Sequence, residues 1–153
     1  MLGKKIVVKY SDGTIIKGYT TDFNPAEDFF HLYLVEDDME TAKEDKIKIN
    51  VNDLKAIFFV KNFLGNKDYK KIRTFNGYET APPPQRRIII VFKDGENFYG
   101  TTYSYSPDKS GFFAFPIDPL DNNDRVFIPR TSLEKVHVKK FGSEDFDIYI
   151  YEN

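Results

Sequence analysis

The sequence predicts an all-β protein built as two tandem copies of one small five-stranded β-barrel, packed against each other as a pseudo-dimer. Short runs rich in β-branched and aromatic residues recur along the chain, each bounded by Gly, Pro, Asn or Asp. No stretch of ten or more residues carries a convincing 3.6-residue apolar period, except weakly around residues 66–76. The turn signals of the first half return in the second at a fixed distance, the mark of an internal repeat. Asp94-Gly95 lies 82 positions after Asp12-Gly13, Gly100 lies 82 after Gly18, and Pro107 lies 82 after Pro25.

Residues 4–10, KKIVVKY, form the first expected strand and run into Ser11-Asp12-Gly13. An Asp-Gly pair between apolar runs supplies the positive-φ positions of a tight hairpin, so strands one and two are antiparallel neighbours. Strand two, residues 14–23, carries Gly18 in its interior, where a missing side chain marks a bend or a close backbone approach. Asn24-Pro25 ends it, because proline cannot donate to a ladder. Residues 29–35 give strand three, and the acidic run 36–40 reads as a solvated loop. Residues 46–51 alternate polar and apolar as strand four. Asn52-Asp53 breaks the pattern before strand five at 54–60.

From residue 62 the alternation is lost, and the segment ends in Pro82-Pro83-Pro84, which favours an extended, stiff path. The domain plan is therefore a first barrel at 1–63, a connector at 64–85 and a second barrel with a C-terminal extension at 86–153. Four aromatics, Phe63, Tyr69, Phe75 and Tyr78, are expected to dock the connector. In the second copy one added residue near Gly111 aligns Phe112-Phe113 with Phe29-Phe30. Leu133 and Val136 then follow Leu54 and Ile57 by 79 positions.

Composition narrows the function. Hydrophobic residues make up 41% of the chain and aromatics 16%, enough for two cores, although units of about 60 to 75 residues are marginal alone and should bury surface against each other. With 22 basic and 24 acidic residues the net charge is −2, so any nucleic-acid affinity must come from a local patch. The absence of cysteine removes disulfides, thiolate catalysis and thiolate metal sites. The N-terminal run is broken by Lys9 and lacks a cleavage pattern, and no apolar run approaches the roughly 20 residues that span a bilayer. The expectation is a cytoplasmic protein.

Five short strands with Asp-Gly between the first two and a glycine inside the second resemble the Sm-like barrel, over about 110 residues of both halves. More narrowly, FKDGExxxGxTxxYxPxxxGFFxFPxDPxxNNxRVFIPRxSLxxV in the second half is similar to an uncharacterised bacterial domain of unknown function. That resemblance implies a bacterial cytoplasmic accessory module and carries no catalytic residue. RNA-binding Sm proteins place a polar pair after strand two and an Arg-Gly type pair between strands four and five. Here those positions read Asp22-Phe23-Asn24 and Ser104-Tyr105-Ser106, then Asn52-Asp53 and Thr131-Ser132. A PilZ-like cyclic-dinucleotide sensor needs an arginine four residues after its first; Arg86-Arg87 are followed by Ile90 and Val91. Its second motif is approached at Asp108-Lys109-Ser110, but Phe113 stands where its last glycine belongs.

The aromatic series Tyr99, Tyr103, Tyr105, Phe112, Phe113 and Phe115 reads either as core and rim packing or as a platform for bases or a peptide. Alternation puts Phe112 and Phe113 on opposite faces of their strand. The loop from Asp118 to Asp124 is dense in oxygen ligands, yet it lacks calcium-loop spacing and reads as a turn tying down its own backbone. His31 and His137 stand alone, so no zinc site is expected. Nothing matches a nucleophile elbow or a phosphate-cradling loop. The expectation is a non-catalytic module without cofactor or metal, binding a protein partner through Tyr103, Tyr105, Phe112, Phe113, Asn122, Asn123 and Arg125, or through an open strand edge. The alternative is a nucleotide or single-stranded nucleic-acid binder using the tyrosines with Arg86, Arg87, Arg125 and Arg130.

Overall fold

The computed structural model describes residues 3–35, 42–65, 70, 73–75 and 85–152, with eleven β-strands and no α-helix among them. The N-terminal half holds β1 (Lys4–Tyr10), β2 (Ile15–Thr20), β3 (Phe29–Val35), β4 (Ala42–Asn50) and β5 (Leu54–Val60). The C-terminal half holds β6 (Arg86–Phe92), β7 (Asn97–Thr102), β8 (Gly111–Pro116), β9 (Asn123–Pro129) and β10 (Leu133–Lys139), and β11 (Phe146–Ile150) follows. β1, β3 and β5 keep the expected bounds. β4 starts earlier than its alternation, and the C-terminal extension supplies a strand that the sequence did not announce. The acidic run 36–40, Tyr69, Tyr78 and the three prolines lie outside the described residues.

Local chemistry is the same in both halves. Gly13 and Gly95 sit at φ +94° and +90°, a region that an L side chain occupies only under strain. The Tyr10 N–H donates to the Thr14 carbonyl at 2.8 Å, and the Phe92 N–H to that of Glu96 at 2.9 Å. Asp12 and Asp94 each accept the N–H two residues on, at 2.9 and 3.0 Å. A Cβ at Gly18 would overlap the Tyr33 carbonyl oxygen, and one at Gly100 that of Phe115, so at both places the second and third strands approach more closely than any side chain permits. One 3₁₀ turn, Val51–Asp53 or Arg130–Ser132, precedes each fifth strand.

The spacing differs from expectation at one point. Thr20 donates to the His31 carbonyl and Thr102 to that of Phe113, both at 2.9 Å, while Gly18 pairs with Leu34 and Gly100 with Pro116. The 82-residue spacing therefore runs unbroken through the third strand. No residue is added near Gly111, and Phe112 corresponds to Phe30 rather than Phe29.

Every pairing is antiparallel, and the order is β11-β10-β6-β7-β8-β9-β5-β1-β2-β3-β4. The order fifth-first-second-third-fourth thus occurs in each half. The expected pair of closed barrels does not form. Closure would require the fourth strand of a half to pair with its own fifth, but β5 gives that edge to β9 and β10 gives it to β11. The edges that closure needs are already hydrogen-bonded, and one open eleven-stranded sheet results.

The β5–β9 joint also decides where the cores sit. Ile57 and Phe59 face the first core with Ile6, Val8, Phe30 and Leu32, whereas Ala56 faces the second with Ile88, Ile90 and Val136. On β9 the same split occurs: Phe127 belongs to the first core, Val126 and Ile128 to the second. Both faces of these two strands are therefore buried, which is why LKAIFFV and RVFIP are almost continuously apolar. Burying one such side chain stabilises by about 1.5–3 kcal/mol. Each half completes its neighbour's core, as units of this size require.

Candidate functional site

Two features govern the surface chemistry: a charged lock between the halves, and grooves on either side of their joint. Lys55 lies on β5 with its side chain only 7% exposed, donating to Asp94 and Glu96 of the β6–β7 turn, both at 2.6 Å. Its ammonium also sits 4.6 Å from the Phe92 ring centre. Burial works against the charge on Lys55, but the two carboxylate hydrogen bonds outweigh it and hold its pKa above the ordinary value. Burial likewise opposes the charge on Asp94, but the Lys55 bond, the Glu96 N–H bond and the nearby lysine charges together overcome it, so the Asp94 pKa is lowered. Sequence reasoning missed this lock. Its one legible sign is a lysine inside an otherwise apolar strand, since a lysine buried there needs a partner.

The chain between the halves docks at its start and midway along, through Phe63 and Phe75. Phe63 is buried edge-on against Tyr19, with its carbonyl accepting from Lys17 at 2.8 Å. Phe75 lies against Tyr99, stacks on Phe146, and carries the Arg87 guanidinium 4.9 Å from its ring centre.

The aromatic series divides between cores and surface. Phe112 is buried in the second core, while Phe113 faces the opposite side, half-buried against Phe23 and Phe127, as alternation required. Tyr105 packs on Phe112 and Tyr149, and its hydroxyl bonds that of Tyr151. Burial, then the Tyr151 bond, pushes the Tyr105 hydroxyl far above the ordinary phenol range. Tyr103 is different, being 54% exposed with its ring edge-on to Phe115 at 5.3 Å. It stands at a groove of about 530 Å³ walled by Phe113, Phe115 and Phe127 from one half and by Pro25 and Ala26 from the other, with Lys109 and Ser110 at the side. An Asn24 turn positions Pro25 and Ala26: Asn24 Oδ1 accepts the Ala26 N–H at 2.9 Å.

A second groove of about 370 Å³ lies at the joint, floored by Val7, Phe58, Val60, Phe98 and Val126. Arg73 at its side donates to the Asn97 carbonyl and lies 3.7 Å from Glu96.

The Asp118 to Asp124 loop ties down its own backbone. Asp118 Oδ1 accepts the Leu120 N–H, and Asp121 Oδ1 that of Asn123, both at 2.9 Å. Lys61 donates to the Pro119 and Asp121 carbonyls, and Asn122 exchanges hydrogen bonds with the Asn62 backbone, so the loop joins the halves. Asn123 pairs with Val60 in the β5–β9 ladder. Among the described residues no three His, Asp or Glu groups are placed to share a metal ion. His31 bonds Asp22 through its ring Nδ1 at 2.7 Å and its N–H at 2.9 Å, while His137 lies in β10 on the other half.

The arginines of the nucleic-acid alternative are each against a ring. Arg125 lies 4.5 and 4.4 Å from the Phe59 and Phe113 ring centres, Arg86 is on Phe141, and Arg130 is on Tyr151 while donating to the Pro107 carbonyl. Tyr103, Phe113 and Phe115 are thus brought together at one groove. Phe112 borders the same groove from within the second core, whereas Tyr105, Asn122, Asn123 and Arg125 are held elsewhere by packing or by the joint.

Residues 2–140 match a family of unknown function, DUF6982. The chain belongs to this family. The DUF6982 match spans both halves and their joint and stops before β11. No curated protein and no solved structure matches the chain. Among the described residues of this DUF6982 member, no helix is long and apolar enough to cross a membrane.

Proposed function

We propose that this DUF6982 member is a bacterial cytoplasmic binding module without catalytic activity, and that it engages a protein partner through the Tyr103 groove. The observation that carries this reading is an open aromatic groove built from both halves, with a tyrosine left more than half exposed at its mouth. Aromatic walls with one cation, Lys109, suit an extended peptide that offers an apolar or aromatic anchor beside an acidic residue. Arg86 and Arg130 already donate to the Lys139 and Pro107 carbonyls, and a net charge of −2 offers no general attraction for phosphates, which favours a protein over a nucleic acid. The proposal includes a duplication, with the halves at 1–63 and 86–153 and the connector at 64–85.

The test is site-specific photo-cross-linking in the native cell. A benzophenone side chain at Tyr103 should give one protein adduct that disappears with Phe115→Ala. The same group at Leu120, which is 78% exposed and outside this groove, should not. Equal adducts at both positions, or none at Tyr103, would reject the groove.

A further inference from the structure

β11 stands on β10 as β9 stands on β5. Val136 and His137 occupy the places of Ile57 and Phe58, 79 residues earlier, and they face Tyr149 and Ile148 where Ile57 and Phe58 face Phe127 and Val126. The packing repeats as well as the register. Phe127 meets Phe23 at 5.1 Å, and Tyr149 meets Tyr105 at 5.2 Å; Phe23 rests on Phe30 at 5.3 Å, and Tyr105 on Phe112 at 4.9 Å. The segment therefore fills an edge and a socket that the fold offers twice.

β11 is held far less completely than β9. β9 has β8 on its second edge, and its Val126 and Ile128 are fully buried. β11 ends the sheet, and the corresponding Ile148 and Ile150 are 57% and 71% exposed. The family match also ends at residue 140, so the edge and its socket lie within the shared domain and the strand that fills them does not.

We infer that the outer edge of β10, with the socket formed by Tyr105, Phe112 and Arg130, is a strand-binding site whose ligand is an extended segment of alternating aliphatic and aromatic residues, and that β11 is its resident occupant. The site shares only Phe112 with the Tyr103 groove and does not rest on that reading. Recognition is by main-chain ladder bonds plus two rings. Tyr149 fills the socket, while Tyr151 bonds the Tyr105 hydroxyl, donates its N–H to the Glu134 carbonyl at 2.9 Å, and lies under Arg130. An acid at the Asp147 position meets Lys140 at 3.6 Å. A partner carrying that pattern exchanges with β11.

A protease site placed between Ser143 and Glu144 leaves the chain whole until it is cut. After cutting, the 144–153 peptide should co-elute with the body on gel filtration and should exchange for a fluorescent peptide of the same sequence, with saturable anisotropy. The uncut chain should take up far less, because the tethered β11 competes for the same edge. The Tyr149→Ala peptide should bind at least tenfold more weakly. Immediate loss of the cut peptide without rebinding of the labelled one would overturn the inference, as would equal binding to cut and uncut chains or equal binding of the Tyr149→Ala peptide. Loss of the far-ultraviolet β signal when the peptide leaves would also overturn it, because β11 would then be an integral strand rather than a ligand.

Discussion

The Lys55 lock predicts a lopsided response to removing its partners. Asp94→Asn with Glu96→Gln leaves an ammonium whose side chain is 7% exposed without a counter-charge, while the Asn carbonyl still accepts the turn N–H. Breaking a fully buried pair from the side that strands a charge costs about 3–5 kcal/mol, and the half-exposed rim here puts the expected loss at the low end, about 3 kcal/mol. Lys55→Met instead returns two carboxylates, 51% and 45% exposed, to water, and puts an apolar chain against Phe92. Its cost should stay within about 1 kcal/mol, since a well-packed apolar replacement of a buried ion pair is often neutral. Urea unfolding measures the difference: with m of about 1–3 kcal/mol/M, a 3 kcal/mol loss moves the midpoint by about 1–3 M.

The pH dependence supplies the sign. In the native chain the Lys55 pKa is raised, so its contribution is complete below the unfolded value of 10.5 and is lost as pH climbs through the higher folded value. In the doubly neutralised variant only burial and the Phe92 ring act, the folded pKa falls, and the deficit should shrink as pH approaches 10.5. A Lys55→Met variant as unstable as the carboxylate double variant would refute this reasoning.

Other perturbations separate the remaining contacts. Gly18→Ala and Gly100→Ala each drive a Cβ into a backbone carbonyl and should lower stability by more than about 2 kcal/mol, read by thermal unfolding, with similar losses in the two halves. Phe127→Ala should cost about 3–5 kcal/mol and shift NMR resonances of Phe30 and Leu32 more than those of Ile90, because Phe127 fills the core of the half it does not belong to. Burial, then Lys135, lowers the His137 pKa, so the unfolded chain binds that proton first and stability should decline as pH falls below 6.5; His137→Gln should flatten this part of the profile. The Asp22 pKa is lowered because its hydrogen bonds from His31 outweigh burial, which places its loss of stability below the ordinary carboxylate value of 3.8; Asp22→Asn should reduce the acid slope there.

Local structure was legible where local physics decides it. Asp-Gly dictates the hairpins, and runs of β-branched and aromatic residues between turn formers bound β1, β3 and β5. The glycines at 18 and 100 mark close backbone approach because no other residue fits. Long-range pairing was not legible. The run LKAIFFV states that β5 is buried but not that its second edge belongs to β9 instead of β4, since both choices satisfy the same pattern. β11 was missed because Phe146 to Ile150 is short and its turn, held by Gly142 at φ +70°, lacks the Asp-Gly signal. For the site, Tyr103 and Tyr105 look alike in sequence. Only the fold reveals that one meets solvent and the other meets Tyr149 and Tyr151.

Backbone NOEs between strands test the open sheet most directly. An open sheet joined at β5 and β9 predicts cross-strand contacts between Ile57 and Phe127 and between Phe58 and Val126, with none between β9 and β10. Contacts between β9 and β10, or between β4 and β5, with the β5–β9 set missing, would mean two closed barrels and would contradict the shared cores, the Lys55 lock and the grooves at the joint.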